Sequence, residues 1–421
     1  MKKVINHMVQ AVLLLVAGIA GGYILLAFAY LLPVEPMQKN LAESAGILNT
    51  EREYHRVIPG YVSTQLDNYT DAWMMGNAVY DNPLPVWERA LTCTSADYGA
   101  GPLDGLIRYT AGEDGYREIS YTRYWHGYLI VLKPFFLLFD YADLRFVNVV
   151  LELFLVIGVF RQMNTLGYCR EAWGYVVSVL FVMPVVVPLS IQFSVIFYLA
   201  NVSAFVLLKN YQWIAQHDGL LLYFQLTGMT ASFFDLLTYP IASLGVPLVC
   251  LLVLTAERGF WNRLKEIISM SVSWGFGYGA MWAGKWILST LVLNDNVIAN
   301  ALSQIAMRSS HIQDGEQITI LDTWLRNVVF YFEKPYLLLI ITCAIVALVG
   351  LLKGRRQLKN IIADVILYTI IAVIPFAWYA AAGQHSYEHH WFTFRALMTS
   401  VFACMCMCAR FYKTDTGHGR G

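Results

Sequence analysis

A succession of apolar runs, each long enough to cross a membrane, constrains this chain more than any other feature. Met8 to Leu32 is almost wholly apolar. Further runs lie near 145–160, 172–190, 192–208, 219–236, 239–256, 267–293, 335–352, 361–382 and 395–409. About 20 apolar residues carry a helix across a ~30 Å hydrocarbon core. The runs therefore predict an all-α integral membrane protein with about ten transmembrane helices, a single polytopic domain over residues 1–421. Composition agrees: 57 % of residues are hydrophobic and 14 % are charged, where a soluble domain is about one-quarter charged. The net charge is zero, so no basic surplus marks a nucleic-acid partner. There is no P-loop, dinucleotide fingerprint or HExxH motif, which argues against an ATP-driven pump. The first run is too long for a signal peptide and lacks a small-residue cleavage site, so it reads as the first span.

Polar stretches divide the chain. Residues 33–144 form a large loop, 145–293 a central helix bundle, 294–334 a second loop and 335–421 the C-terminal helices, with a short third loop at 383–394. Tyr128–Phe139 is apolar but only a dozen residues long, and it contains Lys133 and Pro134. The positive-inside rule decides its reading. If it does not span, Arg161, Arg170, Lys209, Arg258, Arg263, Lys265, Lys353, Arg355, Arg356, Lys359, Arg410 and Lys413 all fall on the cytoplasmic side. If it spans, every later loop flips and the bias reverses. It is therefore expected to be a re-entrant or interfacial helix. Both termini are expected in the cytoplasm, with the three named loops outside the cell membrane. The seven cysteines suggest no disulfide scaffold. Cys404, Cys406 and Cys408 are spaced by two, which on a helix sends the thiols in different directions.

Ionisable residues in or beside spans are costly and mark candidate sites. Asp67 and Asp71, in LDNYTDAWMM, are four apart and share a helical face. A partly desolvated carboxylate there could take a proton from an attacking hydroxyl; Asp67 could equally be a helix N-cap. Asp235, in FFDLLTYP, sits at the outer end of an apolar helix. Lys285, in WGFGYGAMWAGKW, lies in the outer half of a span; a buried ammonium there could meet a lipid phosphate or snorkel to the interface. His385, Glu388, His389 and Arg395 crowd the third loop in HSYEHHWFTFR. His385 and His389 are spaced for zinc, which leaves a divalent metal open, yet no further ligand is evident. The same group could instead hydrogen-bond a sugar or pyrophosphate, with Arg395 as anion clamp. Arg123 and His126, in YTRYWHGY, interleave with aromatic residues that stack on sugar rings.

Together these segments resemble the GT-C superfamily of membrane glycosyltransferases that use polyprenyl-phosphate-linked sugars, such as protein O-mannosyltransferases and the aminoarabinose transferase of lipid A. The first-loop acid in LDNYTDAWMM and the run YTRYWHGYLIVLKPFFLLFDYADLRFVN carry the resemblance; no strict Asp-x-Asp pair and no soluble C-terminal domain is present. The resemblance implies a large first loop with interfacial helices and an outward-facing site. It implies a polyprenyl-phosphate-sugar donor, with its tail among the helices and membrane lipids. Lys285, Arg395 or Arg123 would hold the phosphate, and Asp67 or Asp71 would serve as base. The acceptor, whether glycan, lipid or protein, stays open, and no organic cofactor is implied. A flippase for a lipid-linked saccharide and a polysaccharide polymerase or ligase are the alternatives.

Overall fold

The computed structural model describes residues 2–353 and 361–411. Arg355, Arg356, Lys359 and Lys413 of the expected basic set lie outside the described residues. After α1 (Lys2–Ala29), the first loop folds into α2 (Glu35–Glu43), α3 (Ala45–Glu51), α4 (Asn68–Val79), α5 (Val86–Thr92), α6 (Pro102–Thr110) and α7 (Leu129–Phe136). The bundle follows as α8 (Tyr141–Thr165), α9 (Cys169–Leu180), α10 (Ile191–Gln216), α11 (Leu220–Phe234), α12 (Ala242–Leu254) and α13 (Phe260–Leu293). The second loop holds α14 (Val297–Arg308) and α15 (Ile320–Val328). The chain ends in α16 (Lys334–Lys353), α17 (Ile362–Ala381), the short α18 (Gly383–Glu388) and α19 (His390–Thr393), and α20 (Met398–Phe411). Sheet is confined to two antiparallel pairs among the described residues: β1 (Thr94–Asp97) with β2 (Arg117–Ser120), and β3 (Ile312–Gln313) with β4 (Glu316–Gln317).

Among the described residues, four helices are long and apolar enough to cross a membrane: α1, α10, α17 and the stretch His390–Phe411. A fifth is reached if the bent pair Ile320–Phe332 and Tyr336–Ile345 is one crossing. This marks an all-α membrane protein. α12 has only 13 residues, about 20 Å of helix, short of a ~30 Å core; it is buried along its length. α7 has 8 residues and contains Pro134, whose missing N–H and ring bulk limit helix extension. It cannot cross, in line with the interfacial expectation.

Two cores are packed. One fills the bundle around α9, α10, α12, α17 and α20. The other fills the first loop, where Leu41, Met75, Leu106 and Phe136 meet Leu26 of α1, Phe233 of α11 and Met281 of α13. The large loop is thus a folded layer docked on the bundle. Trp125 Nε1 donates to the Met281 carbonyl at 2.8 Å and fixes the docking. Inside the bundle, α11 and α13 touch backbone to backbone. A Cβ on Gly228 would fall 2.1 Å from the Trp274 carbonyl oxygen, and one on Gly277 the same distance from that of Gln225. Small residues permit this approach where lipid offers no hydrophobic drive. On α20, Cys404 is exposed, Cys406 buried and Cys408 half-buried, so the three thiols do point apart.

Candidate functional site

A polar cavity of ≈ 470 Å³ opens where the first loop meets the second and third. Asp67, Thr70 and Trp73 of α4 line one wall, Tyr121, Arg123 and Tyr124 a second, and Arg308, His385, Glu388, His389 and Trp391 a third. Of the residues singled out in the sequence, the cavity brings together Asp67, Arg123, His385, Glu388 and His389.

Asp67 is the N-cap of α4: its side chain accepts from the Thr70 N–H at 3.0 Å. The N-cap reading of this residue therefore holds, and the same side chain lines the cavity. Burial pushes its carboxyl up to about 7, with the Thr70 N–H pulling down and Asp71 pushing further up. Asp71 does not line the cavity. It is fully buried one turn on, accepting from the Tyr141 hydroxyl (2.6 Å), the Ser190 hydroxyl (3.1 Å) and the Ile191 and Gln192 N–H groups (2.8 and 3.1 Å). An anion at those two amides completes the N-terminus of α10. Arg145 extends the network, with paired 2.8 Å bonds to Glu51 and a 3.0 Å bond to Asn68. Asp71 thus ties α4 to α8 and α10 and sets where Asp67 stands.

Lys285 is corrected from phosphate ligand to structural pin. Its fully buried ammonium donates to the Leu91 carbonyl at 2.8 Å, at the C-terminal end of α5. Lys133 does the same at the end of α4, bonding the Ala78 carbonyl at 2.6 Å. A helix C-terminus carries partial negative charge and unpaired carbonyls, so it suits a buried ammonium that lacks a carboxylate. Arg395 is likewise not free to clamp an anion from the cavity. It is fully buried, donating to the Val182, Trp391 and Ser63 carbonyls at 3.2, 3.1 and 3.4 Å, and holds the segment before Asp67. His126 is buried off the cavity, its ring nitrogens bonded to the Tyr121 carbonyl and the Tyr128 hydroxyl at 2.8 and 2.7 Å. Asp235 accepts from the Thr238 N–H at 2.9 Å and from its hydroxyl. It braces the turn Asp235–Thr238, in which Leu237 is forced to φ 69°, a left-handed backbone that a bulky residue rarely adopts.

That turn separates the cavity from a second space. Leu236 faces the cavity; Leu237 faces an apolar groove of ≈ 250 Å³ walled by Tyr124, Tyr278, Trp282, Trp286 and Trp378. Gly279 lies in the groove, where a Cβ would meet nothing within 4 Å. Arg123, Tyr124 and Arg308 belong to both spaces. Arg308 Nη1 donates to His385 Nδ1 at 2.9 Å, which leaves the His385 Nε2–H to donate to the Leu237 carbonyl at 2.7 Å. Burial holds His385 well below the usual histidine range and His389 at about 4, so both rings are neutral at pH 7. Arg123 stacks on Tyr121, 4.2 Å from the ring centroid. The Nε of each arginine is buried with no hydrogen-bond partner. Around the same spaces Trp73 Nε1 and Gln192 Oε1 are buried and unpartnered too. An unpaired buried polar atom costs about 1–3 kcal/mol.

Arg308 was not singled out in the sequence. Its signal is the amphipathic run VIANALSQIAMR, ending in a cation inside the second loop. Among the described residues no three His, Cys, Asp or Glu side chains converge as a metal site. No protein-family model, curated protein or solved structure matches this chain.

Proposed function

We propose that the chain is a membrane glycosyltransferase that takes a sugar from a polyprenyl-phosphate-linked donor. The observation that carries this reading is the junction of the two spaces. An aromatic-walled apolar groove suits a hydrocarbon tail, the two arginines that line both spaces suit a phosphate, and a polar cavity with aromatic platforms and a raised-pKa carboxyl suits a sugar. The cavity lies in the volume range of small-molecule sites. The reading takes the loop side as extracytoplasmic in the cell membrane, from the distribution of Arg and Lys, and takes the chain to cross about ten times, its shorter helices packed within the bundle.

In the reaction, the acceptor hydroxyl passes its proton to ionised Asp67 while its oxygen attacks the anomeric carbon. The bond from that carbon to the phosphate oxygen breaks, and the electron pair leaves with the phosphate. Arg308 and Arg123 neutralise the charge that develops there. The products are the glycosylated acceptor with inverted anomeric configuration, free polyprenyl phosphate and protonated Asp67. The test is release of polyprenyl phosphate from lipid-linked sugars extracted from the source membrane, using the purified chain in vesicles. The wild type is expected to release it and Asp67→Asn is not; equal release by both removes Asp67 from the reaction.

A further inference from the structure

Helix α15 buries polar residues and bares apolar ones. Thr323 and Asn327 are fully buried, beside Trp324 and Val328, which pack on the bundle core. Asn327 Nδ2 donates to the Ser386 carbonyl at 2.9 Å, and its Oδ1 accepts from the Thr393 hydroxyl at 2.7 Å. The outer side of the helix is largely apolar and bare, with exposed Asp322 in the first turn. Leu321 and Leu325 are each 58 % exposed, and Val329 and Phe332 of the turn that follows are 53 % and 66 % exposed. These positions repeat at the helical period and form one stripe. A helix facing water turns the opposite way, with its polar residues outward.

The segment Ile320–Phe332 meets the apolar helix α16 at 87°. The outward Leu338, Ile341 and Ile345 of α16 are 70 %, 48 % and 57 % exposed, so an apolar face resumes beyond the bend, where Lys334 is exposed. With α16 upright in the bilayer, a segment at 87° to it lies in the bilayer plane. Arg326 is kept off the stripe, 4.2 Å from the Tyr387 ring centroid and bonded to His390 Nδ1 at 3.1 Å.

We infer that α15 is an in-plane membrane helix whose Leu321–Leu325–Val329–Phe332 stripe sits among the acyl chains of the leaflet on the cavity side. The bare apolar face that resumes on α16 is what selects lipid as the occupant. Through the β3–β4 hairpin, α15 anchors α14, which carries Arg308 and exposes Leu302 and Ile305 to 55 % and 47 %. The mouth of the aromatic groove then opens at headgroup depth.

The test places a diazirine analogue of leucine at position 325 of the full chain, reconstituted in phosphatidylethanolamine–phosphatidylglycerol vesicles and irradiated. The expected product is the 320–332 peptide carrying the mass of one phospholipid. A water adduct on that peptide would put the stripe in the aqueous phase and overturn the inference. A covalent dimer through position 325 would overturn it too, by making a second copy of the chain the occupant. None of these outcomes depends on whether the protein transfers sugars.

Discussion

Asp67 and Asp71 stand one helical turn apart on α4, and their surroundings give them different work. Asp67 faces the cavity with a carboxyl pushed up to about 7 by burial, whereas Asp71 holds two backbone amides and two hydroxyls. Asp67→Asn is expected to lower transfer by about 10²–10⁴-fold, the range for loss of a general base, and to leave the melting temperature nearly unchanged. Asp71→Ala orphans buried donors, each worth about 1–3 kcal/mol, and is expected to lower the melting temperature first; an activity loss at full stability would contradict this division. A base must be ionised to act. The rate should therefore climb about tenfold per pH unit below about pH 7 and level off above it, and a flat profile from pH 5 to 8 would count against Asp67. Spacing paired the two acids on one helical face, whereas Asp67 is the N-cap before the helix; which of them lines the cavity was hidden, because Tyr141 and Ser190 reach Asp71 from 70 and 119 residues away. Lys285 was misjudged for a related reason. The carbonyl that satisfies it belongs to α5, 194 residues earlier.

At the scale of elements, glycines on α13 have opposite roles that their sequence context does not separate. Gly277 presses on the α11 backbone, while Gly279 opens on the groove. Gly277→Val is expected to overpack the crossing and cost about 1–3 kcal/mol or more, read as a lower melting temperature. Gly279→Leu is expected to leave the melting temperature alone and to block the groove, read as lost protection by polyprenyl phosphate. If both variants behave alike, the groove is not a binding surface. That α7 is too short to cross was legible in its length and its proline, and the apolar runs gave the positions of the bundle helices, though the run at 172–190 is helical only to Leu180. The folded first loop was less legible, since its core depends on Phe233 and Met281 from helices far along the chain as well as on Leu26 of α1. The outward apolar face of α15 was hidden because ILDTWLRNV reads as an ordinary amphipathic segment until the side it turns inward is known.

Over the whole molecule, the first, second and third loops close around one cavity, and the bundle supplies the groove that runs beside it. Arg123 comes from the first loop, Arg308 from the second, and His385, which orients Arg308, from the third. That convergence is the central claim, and lipid binding tests it most directly. Purified chain would be measured by native mass spectrometry with polyprenyl phosphate and with the matching polyprenol, which has the same tail and no phosphate. The phosphate form is expected to bind at least tenfold more tightly, about 1.4 kcal/mol, and Arg308→Gln to remove the preference while the chain stays folded. Equal binding of phosphate and alcohol, or a preference that survives Arg308→Gln, would contradict it.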